Sequence, residues 1–181
     1  MANRASVSGR SPGFTHSRHS SQRATLYIDT RERYGYTFAK YKAERKRLIV
    51  GDYAALSDDG AVVAAVERKA FANLATSLND GTLSMEMIEL ARLPHAAVVV
   101  EADYSAVIHH KYTTGGYLET LIARLAVRYP HVPILFLGTR KIAEHWVALF
   151  LQTAHATVCD PSAVDPACAE TPTPTTSLSV L

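Results

Sequence analysis

From residue 24 onward the chain alternates short apolar runs with clusters of turn-forming residues. ATLYID (24–29) combines β-branched and aromatic side chains and predicts a strand. RLIVGDYAAL (47–56) predicts a second strand, with a bulge or bend at Gly51. SDDG (57–60) is a strong turn that folds this strand back onto AVVAAVERK (61–69) as a hairpin. Phe71, Leu74, Ala75 and Leu78 then recur at helical spacing until NDG (79–81) stops them, and TLSMEMIELARL (82–93) is a second helical piece ending at Pro94. Beyond it lie a buried strand, AAVVVE (96–101), and a helix with Leu118, Leu121, Ile122 and Leu125 on one face. A strand PILFL (133–137) and a helix carrying Ile142, Trp146, Leu149 and Phe150 complete the series. A hairpin followed by alternating helices and strands predicts an α/β fold. Crossover helices between the last strands favour parallel pairing, so the central sheet is expected to be mixed, with helices on both faces.

The two ends differ from this core. Residues 1–23 hold Arg4, Arg10, Arg18 and Arg23 with no acid and many serines, which predicts a disordered basic arm; organelle transit peptides share this composition. Residues 156–181, rich in Pro, Thr, Ser and Ala, predict a disordered tail. With 181 residues and 48% hydrophobic content, the remaining 24–155 segment suffices for one domain. Both cysteines, Cys159 and Cys168, fall in the tail without zinc-ligand spacing, which fits a reducing compartment. No apolar run approaches the roughly 20 residues of a membrane span. The expectation is an intracellular protein without a membrane partner, in the cytoplasm or nucleoid if prokaryotic or phage and in the nucleus if eukaryotic.

Net charge is only +2, so its distribution matters more than its sum. Residues 31–47 carry Arg31, Arg33, Lys40, Lys42, Arg45, Lys46 and Arg47 against Glu32 and Glu44. Such a run reads as a solvated face. Its aromatics Tyr34, Tyr36, Phe38 and Tyr41 also permit a nucleic-acid reading, in which rings pack on bases while cations neutralise phosphates.

The sharper signal is the end of the hairpin, where VVAAV (62–66) runs directly into Glu67, Arg68 and Lys69. Three charges at a strand end can simply emerge into solvent. The turn at 57–60, however, brings Asp52 of one strand beside an acid of the other, and two carboxylates forced together repel unless a cation lies between them. Strand alternation sets Glu67 and Lys69 on one face and Arg68 on the other. Such acids supply hard oxygen ligands for Mg²⁺, which keeps waters available as nucleophile, and the ammonium can orient that water or offset charge growing on a phosphorane. Lysine also fits because its pKa falls in a crowded cationic site.

IDTRE (28–32), VGDY (50–53), VERKAFANL (66–74), SLNDGTL (77–83) and VVVE (98–101), in this order, resemble the nuclease domain of the XPF/Mus family of structure-specific DNA endonucleases. The resemblance covers most of residues 25–154. It implies a restriction-endonuclease-like, three-layer sandwich and cleavage of one strand of branched or flapped DNA with Mg²⁺ or Mn²⁺. By position it makes Asp52 and Glu67 metal ligands, the Arg68 carbonyl a further ligand, and Lys69 the base that positions water or phosphate. Asp29 and Arg31 complete the acidic and phosphate-contacting shell, and Arg68 braces the site or reaches a phosphate. Three positions depart from the family pattern: Asn73 replaces an aspartate, Thr82 an arginine and Glu86 a glutamine, with expected losses among substrate contacts.

Family members often add a tandem helix-hairpin-helix module, and nothing after residue 155 is long or apolar enough to form one. DNA affinity is then expected from the basic segments, from a partner subunit or from homodimerisation. Two other readings share the fold: a non-catalytic DNA-binding or dimerisation module, and a nuclease acting on linear duplex. His109, His110 and His145 read as surface or packed residues, Gly115-Gly116 as turn chemistry, and Glu101 as either a second acid near the site or an exposed strand end.

Overall fold

The computed structural model describes residues 23–109 and 116–159. The arm, except for Arg23, and the tail beyond Cys159 lie outside the described residues, as do His110 and Gly115. Six strands form one sheet: β1 (Leu26–Asp29), β2 (Ala43–Lys46), β3 (Tyr53–Leu56), β4 (Val62–Ala70), β5 (His95–Glu101) and β6 (Ile134–Phe136). Their order is β2-β1-β3-β4-β5-β6. β1 pairs antiparallel with β3 and β3 with β4, whereas β1–β2, β4–β5 and β5–β6 are parallel, so the sheet is mixed as expected.

Strand alternation divides the core in two. Ala54, Ala65, Val98 and Val100 face α1 (Phe71–Asn79), α2 (Thr82–Leu90) and α4 (Tyr117–Arg128), which contribute Leu74, Leu83, Met87, Leu118 and Ile122. Tyr53, Ala64, Val66 and Val99 face α5 (Arg140–Cys159) on the other side; α3 (Ser105–Ile108) is a single turn. The result is the three-layer α/β sandwich predicted from the element order. Among the described residues no helix is long and apolar enough to cross a membrane.

Four sequence expectations need correction. The strand expected over 47–56 survives only as β3, because residues 47–52 form a loop in which Leu48 is buried and Ile49 is exposed. The basic run instead contains β2, an edge strand with exposed Glu44, Arg45 and Lys46. Charges that discourage pairing with another chain also hide its alternation. In α5 the buried face is Ala143, Val147, Ala148, Leu151 and Ala154, while Ile142 and Leu149 are exposed. Small side chains there let the helix lie close to Ala55 and Ala64, and Trp146 stacks on Phe150 at 4.9 Å on its flank. The helix also continues through residues 156–159, which composition had assigned to the tail.

The bend at Gly51 is real and sets the position of Asp52. Gly51 has φ +73°, and a Cβ there would meet the Val66 carbonyl oxygen at 3.0 Å and the Ala65 Cβ at 3.2 Å. Gly51→Ala is therefore expected to lower stability by about 1–2 kcal/mol from its backbone conformation alone. Thermal unfolding checks this, and an unchanged midpoint contradicts it.

Candidate active site

The carboxyl ends of β1 and β4 and the start of β3 meet at one edge of the sheet. Just before β3, the Asp52 N–H donates to the Val66 carbonyl (2.9 Å), and the Asp52 carbonyl accepts from the Asp29 N–H (2.8 Å). This sets Asp52 beside Glu67, one register position beyond the Tyr53–Val66 pair. The Arg68 N–H donates to Asp52 Oδ2 at 2.9 Å, fixing the carboxylate against the end of β4. Asp52 and Glu67 line one cavity of about 240 Å³ with Arg31, Ile49, Glu86 and Glu89.

Lys69 follows Glu67 on the same face, 8% exposed. Its ammonium donates to Glu67 Oε1 at 2.7 Å and to Glu86 Oε1 at 2.8 Å, so it bridges the strand and helix α2. Lys69 therefore sits in an anionic setting, not the crowded cationic one expected from sequence. Burial works against its charge, but Glu67 and Glu86 outweigh that and its pKa is raised.

The two acids have the opposite problem. Burial, then the charge of Asp52, pushes Glu67 up to about 8, and burial pushes Asp52 up to about 6 despite the Arg68 N–H. Between its ordinary 4.5 and about 8, the unfolded chain gives up the Glu67 proton while the folded chain keeps it. Stability without divalent cations is consequently expected to fall as pH rises through this window. Melting temperatures at pH 5 and 8.5 test the trend, and millimolar Mn²⁺ should flatten it; a flat profile without metal counts against the paired burial.

Asp29 is committed to its neighbours in the chain. It is 1% exposed, and its oxygens accept from the Arg31 N–H, Nε and Nη2 at 2.7, 2.8 and 2.9 Å and from the Leu48 N–H at 2.8 Å. The Arg31 bonds hold its carboxyl well below the usual carboxylate range despite its burial. With its oxygens so occupied, Asp29 organises the 47–52 loop and aims Arg31 at the cavity.

Arg68 points to the opposite face, as alternation predicts. There it meets Glu101 through Nε–Oε1 (2.8 Å) and Nη2–Oε2 (2.7 Å), with Glu32 at 3.7 Å. Glu101 also accepts from the Tyr36 hydroxyl at 2.9 Å and lies 3.5 Å from Arg140. Neither the Arg68 guanidinium nor Glu101 shares the Asp52–Glu67 face, so both brace the sheet from behind. Tyr36 and Phe38 are buried against Tyr53 and are not available to bases; Tyr34 is exposed.

All seven cations of the basic run are exposed. Arg31 lines the cavity, and Lys46 pairs in register with Asp29 at the same end of the sheet. Arg45 turns to the Glu32 carbonyl (3.0 Å), and Lys42 pairs with Glu44 (2.8 Å) at the far end, near the Lys40 carbonyl held by Arg23. Arg33 and Arg47 are exposed beside these segments. The run thus divides between the two ends of β2. His109 turns back to the Ser105 carbonyl at 2.7 Å, and His145 is exposed on α5.

Sequence reasoning missed Glu86 as a partner of Lys69; it also missed Glu144, whose Oε1 accepts from the Thr37 and Phe38 N–H groups at 3.1 and 2.6 Å. Phe38 has φ +48°, and this acceptor helps hold that turn.

A family model for the ERCC4 domain matches residues 28–150. The chain belongs to the ERCC4 domain family. Among solved structures, it is similar to XPF from Aeropyrum pernix, with TM-score 0.58 and 22% identity over 71% of this chain and 65% of that one. A second structure, XPF from Aeropyrum pernix in complex with DNA, matches with TM-score 0.56 and 23% identity over 80% of this chain and 70% of that one. This chain therefore spans slightly under two thirds of the first structure. No curated protein sequence matches significantly. These likenesses establish the ERCC4-type fold around the cavity.

Proposed function

We propose that this ERCC4 domain is a divalent-metal-dependent DNA endonuclease that hydrolyses phosphodiester bonds at branched or flapped DNA in repair, recombination or replication-linked processing. The observation that carries the reading is the Asp52–Glu67 pair: two partly buried carboxylates, one from the loop leading into β3 and one from β4, both with raised pKa, facing one cavity beside an anchored lysine. Asp52 gives one oxygen to the Arg68 N–H and Glu67 one to Lys69; the other oxygen of each makes no hydrogen bond to the described residues. Among the described residues no three His, Cys, Asp or Glu side chains form a metal cage. Mg²⁺ or Mn²⁺ binds through one or two carboxylates, which the Asp52–Glu67 pair can supply, and keeps several waters. Asp52, Glu67 and the Arg68 carbonyl would hold it.

When bound, such a cation supplies Lewis-acid stabilisation of the phosphate and a more acidic water. The chain's own groups do the rest. Asp52 and Glu67 fix the place of reaction, and the Lys69 ammonium orients the attacking water or offsets charge on the transition state. Arg31, held by Asp29, offers its remaining donors to a phosphate at the cavity mouth. Lys46 and Arg47, with the other cations of β2 and its flanks, provide non-specific attraction to the backbone, and the DNA complex of the similar XPF supports that side of the reading. With few phosphate contacts, affinity should be modest and salt-sensitive unless a second subunit contributes.

A panel of 5′ and 3′ flaps, forks and linear duplex, incubated with Mg²⁺, Mn²⁺ or EDTA, tests this. Cutting of the branched substrates with metal and none with EDTA is expected. Equal cutting of linear duplex would make it a nuclease for unbranched DNA. A folded protein inert on every substrate with both metals would leave a non-catalytic binding or dimerisation module.

A further inference from the structure

Glu86 stands where the family pattern usually has glutamine, a change that sequence alone reads as a lost contact. The geometry points to a gain: we propose that Glu86 is the positioning residue for Lys69, a second anionic seat that keeps the ammonium in place when Glu67 engages a divalent cation. This rests on the nuclease reading of the site and deepens it.

Lys69 lies between two carboxylates from different elements, Glu67 on β4 at 2.7 Å and Glu86 on α2 at 2.8 Å. A cation drawn to Glu67 would share that carboxylate with the ammonium and repel it. A neutral amide at position 86 could offer only a dipole to resist this; a carboxylate offers a full opposite charge. Glu86 is suited to the task because α2 is fixed by buried Leu83, Met87 and Leu90, while the Glu86 side chain is 27% exposed. Both Glu86 oxygens face the ammonium, and Oε2, buried 2.8 Å away, makes no hydrogen bond of its own.

Charge around the cavity agrees. Asp29 is matched by Arg31 and Glu89 by Arg92, so the unbalanced groups are Asp52, Glu67 and Glu86 against Lys69. Fully ionised, they leave two negative charges, the complement of one divalent ion. Glutamine at position 86 would leave one.

Two measurements on the full chain separate this proposal from the nuclease reading. Crystal structures of metal-free Glu67→Ala and Glu67→Ala/Glu86→Gln, with Glu67→Gln in place of alanine if the latter does not fold, read the ammonium position directly. Lys69 Nζ should stay within about 3 Å of Glu86 in the single variant and leave in the double. If it leaves in the single variant, Glu86 is no seat and the proposal falls. Calorimetric titration with Mn²⁺ is expected to show Glu86→Gln binding roughly tenfold more weakly than the wild-type chain at low salt. Equal affinity overturns the charge-matching role. A wild-type chain that takes up no Mn²⁺ overturns the nuclease reading instead, and the crystal structures still decide whether Glu86 seats Lys69.

Discussion

Asp52→Asn is expected to abolish cleavage while making the metal-free protein more stable at pH 8. Asparagine keeps an oxygen to accept the Arg68 N–H now bonded to Asp52 Oδ2, so the local backbone has no reason to move. What disappears is one of two partly buried charges, and with it the repulsion that helps raise the Glu67 pKa. The same lost charge removes a hard oxygen ligand from the proposed metal site. Losing that electrostatic stabilisation, worth several kcal/mol, corresponds to roughly three orders of magnitude or more in rate. A melting curve and a single-turnover assay together decide the matter. Loss of both folding and activity would say only that Asp52 is structural, whereas undiminished cleavage would remove it from the chemistry.

The largest effect on stability is expected behind the sheet, at Glu101→Ala. Glu101 and Arg68 have side chains only 11% and 14% exposed and meet through two short bonds, with the Tyr36 hydroxyl donating to the same carboxylate. Alanine leaves a partly buried guanidinium with Glu32 at 3.7 Å as its remaining acidic neighbour, and orphans Tyr36. Breaking one side of such a buried pair costs about 3–5 kcal/mol, which urea unfolding would register as a markedly lower midpoint. Because Arg68 also lends its N–H to Asp52, the disturbance should reach the cavity through the backbone of β4. A change below about 1 kcal/mol would show the cluster to be no more than a surface ion pair.

These two positions show what could be read in advance. The VVAAVERK strand was legible because its apolar run and period-two alternation dictate a central strand, and alternation alone put Glu67 and Lys69 on one face and Arg68 on the other. The hairpin turn likewise brought Asp52 to Glu67 without knowledge of other contacts. Pairings between elements distant in sequence were not legible. Glu101 looked like a lone acid at a strand end because Arg68, 33 residues away, gave no local hint that they would meet. Glu86 looked like a lost amide because its partner lies across a helix–strand contact. Tyr36 and Phe38 looked like base-stacking rings in a basic segment, yet the loop after β1 folds them into the α5 layer. Charge also concealed β2, since an edge strand exposing three of its four residues has almost no apolar period to read.

The central claim is that Asp52 and Glu67 share one divalent cation, and Mn²⁺ binding to the metal-free protein at pH 8, followed by electron paramagnetic resonance, tests it most directly. One Mn²⁺ per chain is expected, lost in Asp52→Asn and in Glu67→Gln while both variants stay folded. A wild-type chain that binds no Mn²⁺, or binding that both variants retain in full, would contradict the account.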